Sequence, residues 1–211
     1  MRGLLLDLDG VLCDSLPALR QAYRRFLEAF GAPATDAEFD SLNGPPLAEI
    51  VRRLKAAHGL AGDPDQLLHS YRRLVAEAHA GAGAAAGAAE VLAEARRLGW
   101  RTAVVTSAPA ASVGAWLQRQ GLAEWFDAVV DGEAVSRGKP DPEPYLTAAA
   151  RLGCRPAACL AVEDSEQGAT AALAAGAPTL FLGPAVPEPV AAHPGFAGRL
   201  ERFSELRERL A

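Results

Sequence analysis

The stretch 4–15, LLLDLDGVLCDS, brings two aspartates, Asp7 and Asp9, straight out of an apolar run. Later apolar runs end in the same way. TAVVT (102–106) closes on Thr106 and Ser107, and CLAV (159–162) on Glu163, Asp164 and Ser165. Lys139 precedes the latter run in a Gly138-Lys139-Pro140 loop. If these runs are parallel strands, the polar groups gather at one edge of a sheet, where open α/β sheets bind ligands. Four carboxylates against one ammonium are costly in a partly dry site unless a cation enters. The donors are hard oxygens, and neither histidine nor cysteine has an evident place among them, which selects Mg²⁺ over zinc. A Mg²⁺ held by few carboxylates completes its shell with water and phosphate. Lys139 and Thr106 are suitable donors to phosphate oxygens. The chemistry that follows is phosphoryl transfer to a carboxylate through an aspartyl-phosphate.

Taken singly, each residue has a plainer reading. Asp7 and Asp9 suit a strand-to-loop turn. Thr106-Ser107 and Glu163-Asp164-Ser165 can cap the helices that follow them, and Lys139 is by default a solvated lysine. The ordered set carries the reading, not any one member. Rival motifs fail on spacing. The glycine of D7-L-D9-G10 comes too early for an EF-hand loop. The stretch from Gly132 to Lys139 has one residue too many for a Walker loop, and Pro140 replaces the required Ser or Thr. Gly81, Gly83 and Gly87 miss the dinucleotide spacing, and there is no GxSxG elbow.

The elements needed to hold this set are legible. Residues 3–8, 102–106, 159–162 and 179–182 are short, near-continuous apolar runs that suit strands buried on both faces, with a weaker run at 128–130. Between them, 90–98, 109–120, 142–152 and 166–175 read as helices, each closed by a glycine. Alternation of strand and helix from 88 to 182 predicts an α/β fold with a doubly wound parallel sheet. The segment 15–80 differs. Apolar residues recur at helical spacing over 16–31, 46–58 and 64–79, with a short helix expected at 35–42 and no strand. This predicts a helical domain, 15–80, inserted into a catalytic core of 1–14 and 81–211. GAGAAAGAA (81–89) reads as a flexible return, Gly183–Gly195 as a proline-rich loop and 203–210 as a last helix.

Composition narrows the function classes. The 211 residues are half hydrophobic and 22% charged, with a net charge of −5. No basic block suggests nucleic acid as a partner. No apolar stretch nears the roughly 18 residues that cross a bilayer, and Asp7 and Asp9 interrupt the first apolar run too early for a signal peptide. Cys13, Cys154 and Cys159 form no CxxC pair. They read as free thiols in a reducing cytoplasm, without ligand spacing for zinc.

The motifs together resemble the haloacid dehalogenase (HAD) superfamily, in the subfamily with a small helical cap inserted after the first motif (phosphoglycolate phosphatase-like or β-phosphoglucomutase-like). They are Asp7-Leu8-Asp9-Gly10-Val11-Leu12 with Cys13-Asp14-Ser15, then Thr106-Ser107, then Lys139-Pro140, then Glu163-Asp164-Ser165 with Gly168 and Gly176. The resemblance implies a HAD-type Rossmann-like core and a Mg²⁺-dependent phosphatase of a small phosphorylated metabolite. Asp7 is then the nucleophile, and Asp9 the acid and base. Gly10 allows a tight turn, and Thr106, Ser107 and Lys139 hold the phosphate. Mg²⁺ is held by Asp7, the Asp9 carbonyl and Asp164, with Glu163 and Ser165 in support, Ser165 orienting Asp164. Dehalogenases lack an acid at the Asp9 position. The alternative is a sugar phosphomutase, but the positions where those relatives carry a histidine and an arginine are here Leu19 and Leu47. Specificity falls to the cap, where Arg20, Tyr23, Arg24 and the 43–47 turn are candidates. The chain is expected to act as a monomer or homodimer.

Overall fold

The computed structural model describes residues 1–211. Strand β1 (Arg2–Leu6) leads into four helices, α1 (Leu16–Glu28), α2 (Asp36–Ser41), α3 (Leu47–His58) and α4 (Pro64–Gly81). Helix α5 (Ala88–Arg97), β2 (Trp100–Val105), α6 (Ala110–Arg119), β3 (Ala128–Val130) and α7 (Glu143–Arg151) follow. The chain ends with β4 (Cys159–Glu163), α8 (Glu166–Ala174), β5 (Thr179–Leu182), α9 (Glu188–Ala191), β6 (Phe196–Leu200) and α10 (Leu206–Arg209). All six strands are parallel, in the order β3-β2-β1-β4-β5-β6. The order reverses between β1 and β4, so their carboxyl ends flank the crevice of a doubly wound sheet.

Period-two alternation along β1 assigns each side chain a face. Leu4 and Leu6 enter the cluster under α5, α6 and α10, while Leu5 joins Ala103, Val105 and Ala161 under α7 and α8. All three leucines are fully buried, as expected of a strand covered on both faces. Asp7 continues the Leu5 side and Glu163 the Ala161 side, so both acids emerge toward α7.

Helices α1 to α4 bury their stripes against one another. Tyr23, Phe26, Leu27, Val51, Leu54, Tyr71 and Val75 belong to one cluster separate from those of the sheet. Asp63 starts α4 by accepting from the amides of Asp65 and Gln66, and Thr35 starts α2 by accepting from Glu38. The chain leaves the sheet through 12–14 and returns through 83–85, and these two segments are hydrogen-bonded: the Asp14 amide donates to Gly83 (3.0 Å) and the Ala85 amide to Leu12 (2.8 Å).

Three expectations need correction. The strand expected over 3–8 ends at Leu6, so Asp9 leaves the ladder instead of sharing a face with Asp7. The Gly183–Gly195 loop contains α9, and β6 was not marked by any apolar run because it is a half-exposed edge strand, FAGRL. The last helix opens as a 3₁₀ turn over Phe203–Glu205 before α10. In addition, the small-residue run 81–89 is not all linker, since Gly81 closes α4 and Ala88 opens α5.

Phe26 packs on the rings of Tyr71 (5.0 Å between centroids) and Phe30 (5.4 Å). Phe26→Ala is expected to lower the free energy of unfolding by about 3–5 kcal/mol in equilibrium urea denaturation. Phe30→Ala, at a 39% exposed position, should stay within about 1 kcal/mol.

Candidate active site

At the carboxyl end of β1 the Asp7 amide still donates to Val162 (3.1 Å), fixing the acid beside β4. Lys139, arriving from the loop before α7, is 4% exposed. Its ammonium donates to Asp7 Oδ1 (2.5 Å), to the Val105 carbonyl (3.0 Å) and to Glu163 Oε1. Glu163 is fully buried, and Tyr145 of α7 also donates to its Oε1. Ser165 Oγ donates to the other oxygen, Oε2, at 3.2 Å. Gly168 has to be glycine, because a Cβ there would overlap the Glu163 carboxylate. Ser165 thus orients Glu163 rather than Asp164, and it also caps α8 by accepting from the Gly168 amide (3.1 Å).

Carboxylate oxygens of Asp7, Glu163 and Asp164 lie within 4.8 Å of one another. Burial pushes the Asp7 carboxyl up to about 8, with Lys139 opposing and Glu163 and Asp9 adding to the rise. Asp164 is raised by burial and by the Asp7 and Glu163 charges. Burial works against the Lys139 ammonium, but the same two carboxylates hold it above its ordinary value. The directions agree once the cluster titrates as a unit: one ammonium shared by two carboxylates leaves the third acid without positive charge. The cluster is therefore short of one cation and can hold a metal ion on hard oxygen donors. Glu163 has both oxygens engaged, which leaves Asp7 and Asp164 as the freer donors.

Asp9 stands apart. After Leu8 the chain turns through Gly10 (φ +81°), where a side chain would collide with Asp164. The Asp9 carboxylate accepts from Ser15 Oγ (2.5 Å) and lies 2.7 Å from His79 Nε2. Burial alone would raise Asp9; the hydrogen bond and charge of His79, with Ser15, overcome it and hold the carboxyl below its ordinary value. Burial likewise opposes charging of His79, and Asp9 reverses it, holding the imidazole above its ordinary value. A histidine therefore does sit among the acids, against expectation. The signal for it was present: Leu67, Tyr71, Val75 and His79 are four apart, so His79 extends the buried stripe of α4. Tyr145 was not marked by any motif.

Thr106 follows β2, and its Oγ1 accepts from the Ala108 amide (3.1 Å). Neither Thr106 nor Ser107 caps α6, whose N-cap position is Pro109, without a side-chain cap. Ser107 Oγ donates to the Gly44 carbonyl (2.6 Å), and Asn43 Nδ2 to Asp164 Oδ2 (3.1 Å), so the 43–47 turn rests directly on the sheet's loops. Asp7, Asp9, Thr106, Ser107, Lys139 and Ser165 line one cavity of about 80 Å³ beneath that turn, and His79 joins them. Gly10 and Asp164 line the adjoining cleft. Arg20, Tyr23 and Arg24 are elsewhere. Arg20 and Arg24 pair with Asp36, Arg20 also with Asp40, and Tyr23 donates to Glu38.

The family model described as haloacid dehalogenase-like hydrolase matches residues 1–176. A phosphoglycolate phosphatase of Cereibacter sphaeroides is 35% identical over 181 residues, covering 83% of this chain and 82% of the relative. A phosphorylated carbohydrates phosphatase of Thermotoga maritima is 31% identical over 185 residues, covering 86% and 84%. Among solved structures, CbbY from Rhodobacter sphaeroides in complex with phosphate superposes with a TM-score of 0.81 at 25% identity, over 98% of this chain and 96% of that one.

Because burial raises both the Asp7 and the Asp164 carboxyls, a divalent cation binding between them has to displace a proton held by the cluster. Cation affinity should therefore rise as pH increases from the ordinary carboxylate range. Calorimetry in buffers of different ionisation heat should show proton release on binding. Affinity that falls as pH rises would contradict the charge state assigned to the cluster.

Proposed function

The chain belongs to the haloacid dehalogenase-like hydrolases, and from that membership we propose that it is a Mg²⁺-dependent phosphatase of a small phosphorylated metabolite. The observation that carries this is the nucleophile-ready Asp7, fixed by Lys139 and facing the same cavity as Asp9 and Thr106. Oxygen donors alone fit Mg²⁺ better than a softer metal. Asp7 and Asp164 would hold the ion, with the Asp9 carbonyl as a further donor. Bound there, Mg²⁺ would neutralise charge on the acids and on the transferring phosphoryl group.

In the proposed reaction an Asp7 oxygen attacks phosphorus as the bond to the leaving oxygen breaks, giving an aspartyl-phosphate on Asp7. Lys139 keeps Asp7 aimed and balances charge at the phosphoryl oxygens. The Thr106 hydroxyl and the Ser107 amide bind those oxygens. The proton for the leaving alcohol passes through Asp9, which takes it from the protonated His79 it contacts. Asp9 then takes one from the water that attacks the acyl phosphate, releasing phosphate and restoring Asp7.

The helical segment 15–80 is proposed to act as a cap that opens about the paired segments 12–15 and 79–87. A cavity of about 80 Å³ is smaller than the ~150 Å³ that holds a benzene, so a substrate enters only when the 43–47 turn lifts. Closure then keeps bulk water from the phosphoryl group. The three free cysteines and a small-metabolite substrate fit a cytoplasmic protein. The sugar phosphomutase alternative has less support. Leu19 and Leu47, which stand where those relatives carry a histidine and an arginine, both line the cavity.

Phosphate release from a panel of phosphomonoesters should require Mg²⁺ and fall at least about a thousandfold in Asp7→Asn. Asp9→Asn should retain phosphorylation of Asp7 better than turnover, read as a burst by rapid quench. Undiminished turnover in Asp7→Asn would remove the proposed nucleophile.

A further inference from the structure

The cavity has a charged floor and a roof without free charge. Opposite the acids its wall is built by Leu16, Leu19, Phe39, Leu47, Ile50 and Val75. The ionisable side chains that face it are Asp7, Asp9, His79 and Lys139, with the Tyr71 phenol. None presents an open positive charge to a second anion: the one unpaired nitrogen among them, His79 Nδ1, is fully buried. Lys139 is engaged by Asp7, Glu163 and a carbonyl, and His79 Nε2 by Asp9. The basic residues of α1 offer nothing either. Arg20 lies over the Phe39 ring (4.5 Å), outside the lining, paired with Asp36 and Asp40, and Arg24 is paired with Asp36.

Resting on the phosphatase reading above, we propose that the leaving group of the substrate is a compact, uncharged and largely apolar alcohol, carrying neither a carboxylate nor a second phosphate. A carboxylate pressed against these methyl groups would lose its hydration without gaining a counter-ion, whereas hydrocarbon gains by burial there. One polar group can be matched. Tyr71 is 4% exposed, lines the cavity, and no protein group hydrogen-bonds its hydroxyl. That hydroxyl can pair with a single hydroxyl of the alcohol. The wall thus sets this chain apart from what the name of its phosphoglycolate phosphatase relative suggests, since phosphoglycolate carries a carboxylate beside its phosphate.

The test compares three esters of one primary alcohol skeleton: butyl phosphate, 4-phosphonooxybutanoate and butane-1,4-diol bisphosphate, each with Mg²⁺. The reacting oxygen is alike in all three, so kcat/KM reports the far end of the leaving group. Butyl phosphate should exceed both charged esters by at least about tenfold. Leu47→Arg, which adds a guanidinium to the wall, should shrink that ratio by about tenfold or reverse it. Turnover led by a charged ester in the wild-type enzyme overturns the inference while leaving the phosphatase reading in place. An unchanged ratio in folded Leu47→Arg overturns it also; if that variant fails to fold, the wild-type panel decides. No Mg²⁺-dependent turnover of any of the three, or of p-nitrophenyl phosphate, overturns the phosphatase reading and this inference together.

Discussion

A single buried ammonium organises this molecule. Lys139 is withdrawn from water and coordinated by Asp7, Glu163 and a β2 carbonyl, so it ties together the ends of the three central strands. Such a cluster is a poor source of net stability, because desolvation of the charges offsets much of their attraction. Its value is positional. Removing any one partner leaves buried charge uncompensated, so the surrounding residues are constrained in turn: Tyr145 and Ser165 complete the Glu163 oxygens, and Gly168 leaves room for them. The sheet exists in this form to hold that geometry. Its alternation puts Asp7 and Glu163 on the α7 side, and its strand order opens a crevice where they emerge.

Asp9 is governed differently. It is two residues from Asp7, yet its carboxylate belongs to the junction between sheet and helices. Ser15 stands where the chain leaves the sheet, and His79 where α4 ends before the return; each contacts Asp9. The core holds that junction from the other side, with Arg119 donating to the His79 carbonyl (2.7 Å) and Trp116 to the Ala82 carbonyl (3.0 Å). Two adjacent acids can therefore have opposite proton affinities. One is pushed up by burial among like charges, the other held down by an imidazole and a hydroxyl. Without a cation this order is the reverse of the one the two roles need, so a cation on Asp7 has to remove its proton, and the charged His79 beside Asp9 has to supply the one that Asp9 transfers.

The sequence disclosed the parts whose cause is local. An apolar run ending in acid, a helix stopped by glycine and a stripe at helical spacing each follow from a few adjacent residues, so the inner strands, the helices between them and the run of helices after β1 were legible. Contacts made across long separations were not. Tyr145 finds Glu163 only after α7 packs on the sheet, and Lys139 meets Asp7 from 132 residues away. His79 was half legible: its place on the stripe of α4 marked it as buried, but not what it would meet. The half-exposed β6 lacked the apolar run by which the inner strands are recognised.

The two surfaces of the cavity discriminate by different physics. Charge and hydrogen bonds on the floor are directional and bind whatever carries a phosphoryl group, independent of what is attached to it. The roof is made of methyl groups and rings, whose attraction scales with contact area and carries no direction. Such a surface rejects by two means, size and unmatched charge. Because the same wall belongs to the helices proposed to open, contact with a leaving group of fitting shape would also favour the arrangement in which the 43–47 turn sits on Ser107 and Asp164. An alcohol too large to be covered would hold the turn off the sheet and leave the phosphoryl group open to water. On the proposed reading recognition and closure are one event: the sheet grips the phosphate, and the fit of the alcohol sets whether the helices close upon it.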